Sequence, residues 1–402
     1  MRATYSAFIG AGFAFASWAS RIPQVKQHLH LSPADLGLVL LAIAAGSVLS
    51  LPISGLIIHR MSTRWTVSVM AGLLAIALAV VALGYLAGVV PVVIGLFLLG
   101  FANGAWDVSM NVQGADVERH LGRAIMPRFH AGFSLGTVAG ALLGAVMVAL
   151  HVPVTAHLIA VAVVIFVGVP LLVRAFLPDE VADHGAGSAA SSGSSGGSAI
   201  EGPSAVRAGP GVLARWREPR TLVIGVFVLA FAFSEGTGND WISVALIDGY
   251  HAPAVVGTLG FAVFLAAMTV ARWVGPGLID RHGRVLAVRG LALLALIGLA
   301  LFVFGPNPPV AFVGALLWGA GTSLGFPVGM SAAADEPAAA AGRVSVVASI
   351  GYCAFLGGPP LIGFLGSHQG VRHALTAVAV LLAIAALVAS TLRPLSPSPP
   401  PR

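Results

Sequence analysis

Apolar residues run along this chain in long blocks, and the polar positions gather in the short gaps between them. Blocks of roughly 20 residues, long enough to cross a bilayer as helices, fall at Thr4–Ser20, Ala34–Ile58, Thr66–Ala87, Pro91–Gly114, Phe129–Leu150 and Val154–Phe176. After one wide break they resume at Thr221–Leu246, Pro253–Ile279, Val285–Phe304, Pro309–Ala333, Val344–Gly366 and Ala374–Leu392. The pattern predicts twelve transmembrane helices, six on each side of the break. In lipid a helix satisfies its own backbone hydrogen bonds, which an open strand does not. The expected fold class is therefore an all-α integral membrane protein.

The break, Leu177 to Pro219, contains a stretch of almost pure Gly, Ala and Ser from His184 to Ser198. Such a composition makes a flexible connection with no core of its own. The expected organisation is a first six-helix bundle over 1–176, a linker over 177–219, a second bundle over 220–393 and a short Pro-rich tail over 394–402.

Composition agrees with the pattern. Of the 402 residues 57% are hydrophobic and only 9% charged, against about 25% charged in soluble domains. The formal net charge of +6 would suit nucleic acid, but its distribution argues for membrane topology and no nucleic-acid partner. With the N-terminus inside, seventeen basic residues fall on the inner side: Arg2, Arg60, Arg64, Arg119, Arg123, Arg128, Arg174, Arg207, Arg215, Arg217, Arg220, Arg281, Arg284, Arg289, Arg343, Arg393 and Arg402. Only Arg21, Lys26 and Arg372 fall outside, and Arg272 lies within an apolar span. Positive charge collects on the cytoplasmic side of membrane proteins, so both termini and the linker are expected in the cytoplasm and the protein in the cell membrane. The single Cys353 excludes an intrachain disulfide.

The two halves resemble each other. Pro33-Ala34 and Gly37 return as Pro253-Ala254 and Gly257, an offset of 220, and Phe13-Ala14-Phe15 returns as Phe231-Ala232-Phe233, an offset of 218. Gly100 with Gly319, Arg123 with Arg343 and Gly144 with Gly363 keep nearly the same spacing. An even number of helices per half makes these parallel repeats.

On these residues the chain resembles the major facilitator superfamily. The most specific match is the loop after the second helix of each half, where that family carries Gly-x-x-x-Asp-Arg-x-Gly-Arg. The second half has Asp280-Arg281-His282-Gly283-Arg284; the first keeps Gly55 and Arg60, but His59 replaces the acid and Ser62 the glycine. The resemblance implies that this loop latches one conformation, with the second-half latch intact. Ala16-Ser17-Trp18-Ala19-Ser20-Arg21-Ile22-Pro23, Glu235-Gly236 with Asp240-Trp241, and Gly357 to Gly363 are similar to a bacterial branch related to fucose permeases. Drug–proton antiporters carry a Gly-Pro pair in the fifth helix, where this chain has Ala141 among Gly136, Gly140 and Gly144.

Three acids lie well inside apolar spans, away from their ends: Asp107, Glu235 and Asp240. A charged Asp at the centre of a membrane helix costs roughly 2.5–3.5 kcal/mol, so such a group faces a wet cavity, finds a partner or holds a proton. Asn103, Asp107 and Asn111 recur every fourth residue and line one helical face. That stripe reads either as a cavity wall that binds solute and protons or as an interhelical clamp. In the branch resembled, an acid on the fourth helix is linked to proton coupling, and Asp107 occupies that helix. Glu235 with Asn239 makes a second pair one turn apart, while Asp240 points about 140° away and reads as a solvated or capping acid. His130 and Ser134 could bond solute or relay protons. Trp18, Trp106 and Trp241 offer stacking faces, with an interfacial belt as the alternative for Trp18 and Trp241.

No metal-ligand cluster, phosphate-cradling loop or nucleophile elbow stands in the sequence, so no cofactor, metal or catalytic chemistry is expected. The leading reading is a monomeric secondary transporter that moves a small organic solute by alternating access, with protons as coupling ion and the lipid bilayer as its surroundings. An uncoupled facilitator or exchanger, a drug-efflux antiporter of the same fold and a transporter-like membrane sensor are the alternatives.

Overall fold

The computed structural model describes residues 1–122, 125–177, 214–336 and 339–394. Most of the expected linker, the tail from 395 onward, and Arg123 and Arg207 lie outside the described residues. The described chain is helical: α1 (Arg2–Ala19), α2 (Ile22–His28), α3 (Pro33–Gly84), α4 (Val89–Leu121), α5 (Met126–Ala149), α6 (Val154–Leu172), α7 (Pro219–Tyr250), α8 (Ala254–Phe304), α9 (Pro308–Thr322), α10 (Gly325–Ala333), α11 (Ala340–Gln369), α12 (Val371–Ala374) and α13 (Thr376–Val388). Two of these are bent pairs of spans, α3 and α8. Together α9 and α10 make one broken span, and α12 and α13 another. With α1 the count is twelve transmembrane helices, in the parallel two-repeat arrangement.

Sequence-level boundaries differ from these in three places. Residues between the second and third spans of each half do not form a loop. The helix continues through them, interrupted at Ser62 (φ 70°, ψ 161°) in α3 and at Gly283 (φ 75°, ψ 161°) in α8. The tenth span, expected unbroken over Pro309–Ala333, breaks between Thr322 and Gly325. The first outer loop contains the short helix α2. Hydropathy marks where lipid ends, and helices carry on past that point when polar residues can face water.

Local signals set the ends. Ser32 caps α3 by a reciprocal pair: its hydroxyl accepts from the Asp35 amide at 3.2 Å, and its own amide donates to Asp35 Oδ2 at 3.1 Å. Asn307 caps α9 in the same sense, accepting from the Val310 amide, with Pro308 in the first turn. Such caps satisfy amides that a helix start leaves unpaired. Glu118, at the end of α4, accepts from the amides of Ile125 and Met126 at 2.9 and 2.7 Å and so anchors the start of α5.

Packing within each half depends on close backbone approach. An added Cβ on Gly136 would lie 2.1 Å from the Ile9 carbonyl oxygen. Small residues at such crossings let membrane helices come together without a hydrophobic driving force. This is how α5 lies on α1.

Across the halves, α3 packs on α11 and α5 on α8. The polar contacts between halves sit on the face opposite the chain termini, here the distal face. Lys26, the only lysine of the chain, pairs with Asp248 at 2.8 Å, and the Ala34 amide donates to Ser367 Oγ at 3.0 Å. An added Cβ on Gly37 would lie 2.4 Å from the Pro359 carbonyl oxygen, and one on Gly363 2.4 Å from that of Pro33. On the terminal face the ion pairs among the described residues stay within one half: Arg119 with Asp116, Glu218 with Arg215 and Arg343, Glu336 with Arg343, and Asp335 with Arg220 and Arg284. The conformation is sealed at the distal face.

Candidate functional site

Two clusters of polar groups lie near the middles of their helices, one in each half. In the first, Asp107 lies near the middle of α4 and is half-buried. The Asn111 amide turns back onto it, donating to the Asp107 backbone carbonyl at 2.8 Å and to Oδ1 at 3.3 Å. No cationic side chain pairs with Asp107 among the described residues. Asn103 and Asn111 complete the stripe, and the Oδ1 atom of each is buried without a protein partner. Across the seam, Tyr352 of α11 lies close enough to feel the charge of Asp107.

The second cluster is built on Glu235 of α7. Arg272 of α8 donates to Glu235 Oε2 at 2.8 Å through Nη2, and through Nε to the Ser323 carbonyl at 3.1 Å. That carbonyl belongs to the break between α9 and α10. The break therefore frees an acceptor at membrane depth, and the guanidinium satisfies it; irregular backbone survives there only when protein or a wet cavity covers it. Beside the pair, Trp318 Nε1 donates to Ser234 Oγ at 2.8 Å, and the Ser234 and Thr322 hydroxyls lie 2.9 Å apart. Asn239, one turn from Glu235, has a buried Oδ1 with no protein partner. Asp240 is half-buried on the same helix, and no hydrogen bond or ion pair to it occurs among the described residues.

His130 is exposed near the start of α5, its ring edge-on to Phe8 at 5.2 Å. It lies across the α5–α8 contact from Arg272, close enough to feel that charge. Ser134 is buried one turn further on. The three tryptophans are enclosed: Trp18 is 1% exposed and Trp106 and Trp241 0%, each with an unpaired indole N–H. They form packed interior, and the exposed tryptophans are Trp65, Trp216 and Trp273 instead.

In the latch loop, Gly55, Arg60, Asp280 and Arg281 are exposed on the terminal face. Gly283 makes the kink, and Arg284 reaches Asp335 at 2.5 Å and Ser331 Oγ at 3.2 Å. Glu218, at the start of α7 outside the spans, is held well below the usual carboxylate range, at about 2, chiefly by its hydrogen bond from Arg343.

Sequence reading did not find three of these arrangements. Arg272 was visible as a lone basic residue in an apolar span, yet its partner was not. Asp335 gave no signal, since acids near loops are common. Arg21, read as an outer-loop charge, is 2% exposed; its Nε donates to His157 Nδ1 at 2.9 Å and its Nη2 to the Val152 carbonyl at 3.1 Å.

Twelve helices in two parallel repeats, with Asp107 in one half and the Glu235–Arg272 pair in the other, make the architecture of a polytopic membrane protein. The family model of the Major Facilitator Superfamily matches residues 4–357, and the chain belongs to that family. It is similar to an uncharacterised transporter, y4wD, of Sinorhizobium fredii, at 30% identity over 398 residues that cover 98% of each chain. An uncharacterised MFS-type transporter of Yersinia pestis is 31% identical over 383 residues, 94% of this chain and 92% of the relative. Among solved structures, the nucleoside transporter NupG matches with a TM-score of 0.71 at 14% identity over 98% of each chain. FucP, in its outward conformation, matches at 0.63 and 15% identity over 97% of each chain. These two likenesses concern the fold.

Proposed function

We propose that this chain moves a small, polar organic solute across the cell membrane by alternating access, with protons as the coupling ion. Asp107 is the observation that carries the reading. A half-buried carboxyl at mid-membrane, with amide neighbours and no counter-cation, is costly when ionised and suited to binding a proton in one part of a cycle and releasing it in another. Asn103, Asn111 and Asn239 supply free acceptors on both halves, which suits a solute rich in hydroxyl or amine donors. Glu235 and His130 flank the same interior space, and Ser134 stands one turn from His130. Trp18, Trp106 and Trp241 give the wall behind the polar groups its shape.

In this reading residues 1–176 and 220–393 rock against each other as two bundles, joined by the cytoplasmic linker. Both termini are cytoplasmic, so the distal face is external and the conformation described is open inward. Asp280, Arg281, Gly55 and Arg60 make the latch contacts of the opposite conformation. Proteins of like fold include a fucose:proton symporter of E. coli and a D-xylose–proton symporter, which supports proton coupling without fixing the cargo. The chain acts as a monomer.

The test has two stages. A thermal-shift screen of the purified protein against sugars, polyols, amines and organic acids identifies a ligand, because a compound that binds the folded state raises its apparent stability. Proteoliposomes loaded with that ligand then separate the mechanisms. A proton gradient should drive accumulation, whereas an uncoupled facilitator only exchanges down the solute gradient.

A further inference from the structure

Two arginines on α8 stand on opposite sides of the kink at Gly283, and both reach the short helix α10. On the first arm Arg272 holds the Ser323 carbonyl just before α10 begins. On the second arm Arg284 holds Ser331 near its end and Asp335 just beyond it. Asp335 Oδ2 also accepts from Arg220 at 3.0 Å, which ties the same point to the start of α7. A nine-residue helix is a rod of about 13 Å. It also lies hard against α7, where an added Cβ on Gly329 would stand 2.3 Å from the Val228 side chain. The rod therefore braces the bend in α8, fixed at one end by mid-membrane charge and at the other by the latch loop. Its counterpart in the first half, α4, runs unbroken from Val89 to Leu121.

At the mid-membrane end Arg272 has two duties. It neutralises Glu235 and it satisfies Ser323. The pair is only partly enclosed, with side chains 25% and 22% exposed. When Glu235 binds a proton, Arg272 loses its counter-charge and its position is no longer set by an ion pair.

We propose that Arg272 is a positioning residue: it transmits the charge state of Glu235 through α10 to the bend at Gly283 and to the terminal-face latch. This rests on the transport reading and adds to it a route by which an occupied or protonated site changes the gate. Arg272 from α8 pairs with Glu235 and is itself held by the Ser323 carbonyl at the α9–α10 break; the charge of Arg272 also reaches His130 of α5, and Asn239 stands one turn from Glu235 on its own helix. Among the described residues only Arg272 bonds Glu235 directly. Asp107 lies in the other half and carries the transported proton.

Hydrogen–deuterium exchange on the full-length protein in nanodiscs tests this, with rates corrected for intrinsic exchange. The segments to follow are 277–290 and 325–336. Glu235→Gln, which cannot ionise, should raise exchange in both by on the order of tenfold, the worth of one charge-assisted hydrogen bond. Arg272→Gln, which also gives up the Ser323 bond, should raise exchange at least as far as Glu235→Gln, the double variant should be no worse than Arg272→Gln alone, and Arg272→Lys should recover part of the protection. Unchanged exchange in 277–290 and 325–336 for Glu235→Gln, or additive effects in the double variant, would overturn the proposal. Exchange that responds as described in a protein that never accumulates solute would instead overturn the transport reading and leave the strut standing.

Discussion

Ser62 occupies a backbone conformation that glycine adopts freely and serine does not. Its φ of 70° and ψ of 161° match the 75° and 161° of Gly283 at the equivalent kink of the other half. A non-glycine residue in that region carries about 1–3 kcal/mol of strain. Glycine relieves the strain but brings roughly 0.5–1 kcal/mol of extra chain entropy to lose on folding. Ser62→Gly should therefore stabilise the protein by ~0.5–2 kcal/mol. The hydrogen bond at the site is kept, since Thr66 Oγ1 donates to the Ser62 backbone carbonyl at 2.6 Å, and no bond to the Ser62 hydroxyl occurs among the described residues. The assay is intrinsic-fluorescence melting in detergent, where the apparent midpoint should rise by roughly 1–5 °C. Ser62→Ala isolates the cause: it removes the hydroxyl and keeps the strain, so its midpoint should stay near wild type. Gly283→Ala runs the comparison backward and should lower stability by about 1–3 kcal/mol. A Ser62→Gly midpoint at or below wild type, with Gly283→Ala harmless, would refute the left-handed kink as the dominant state in both halves.

Other expectations follow from the charges and the seam. Glu218 is held at about 2, against its ordinary 4.5, mainly by the Arg343 hydrogen bond. Its stabilisation is therefore complete above that ordinary value and is lost as pH falls toward 2, so Glu218→Gln should flatten the acid limb of a melting-midpoint profile. Gly37→Val places a side chain where the Pro359 carbonyl already stands, 2.4 Å from an added Cβ. It should hold the distal face open, seen as faster modification from outside of a cysteine at Ser367→Cys in a Cys353→Ala background. At the latch, Asp335→Asn loosens both Arg220 and Arg284 and should destabilise this conformation more than Asp280→Asn, whose carboxylate is exposed; melting midpoints in the absence of solute decide between them.

Much of the architecture is legible in the sequence because its causes are local. Block hydropathy gives the number of spans, and the offset between Pro33-Ala34 and Pro253-Ala254 gives the repeat. The motif marks the segment around Gly283 as a loop between helices, where the structure has a kink in a continuous helix, and the same kink at Ser62 is invisible locally. Nothing in serine favours that conformation, and the helix that contains it packs extensively on α4. The break after Thr322 is similarly silent, because Arg272, distant in sequence, satisfies the carbonyl that a break exposes. Side-chain spacing put Asn103, Asp107 and Asn111 on one face, as the structure has them. It could not pair Glu235 with Arg272, nor tell that Trp18 and Trp241 are enclosed, because both depend on which helices become neighbours.

The most direct test of the central claim is accumulation by Asp107→Asn. Asparagine keeps the size and hydrogen-bonding capacity of the acid but releases no proton. Measured in proteoliposomes with an imposed proton gradient, the variant should bind solute and exchange it across the membrane, yet fail to concentrate it. Asp107→Leu should also lose binding, because it strips a hydrogen-bonding group from the polar face of α4. Concentration of solute by Asp107→Asn to the wild-type level would contradict the account and reduce Asp107 to a hydrogen-bonded clamp between helices.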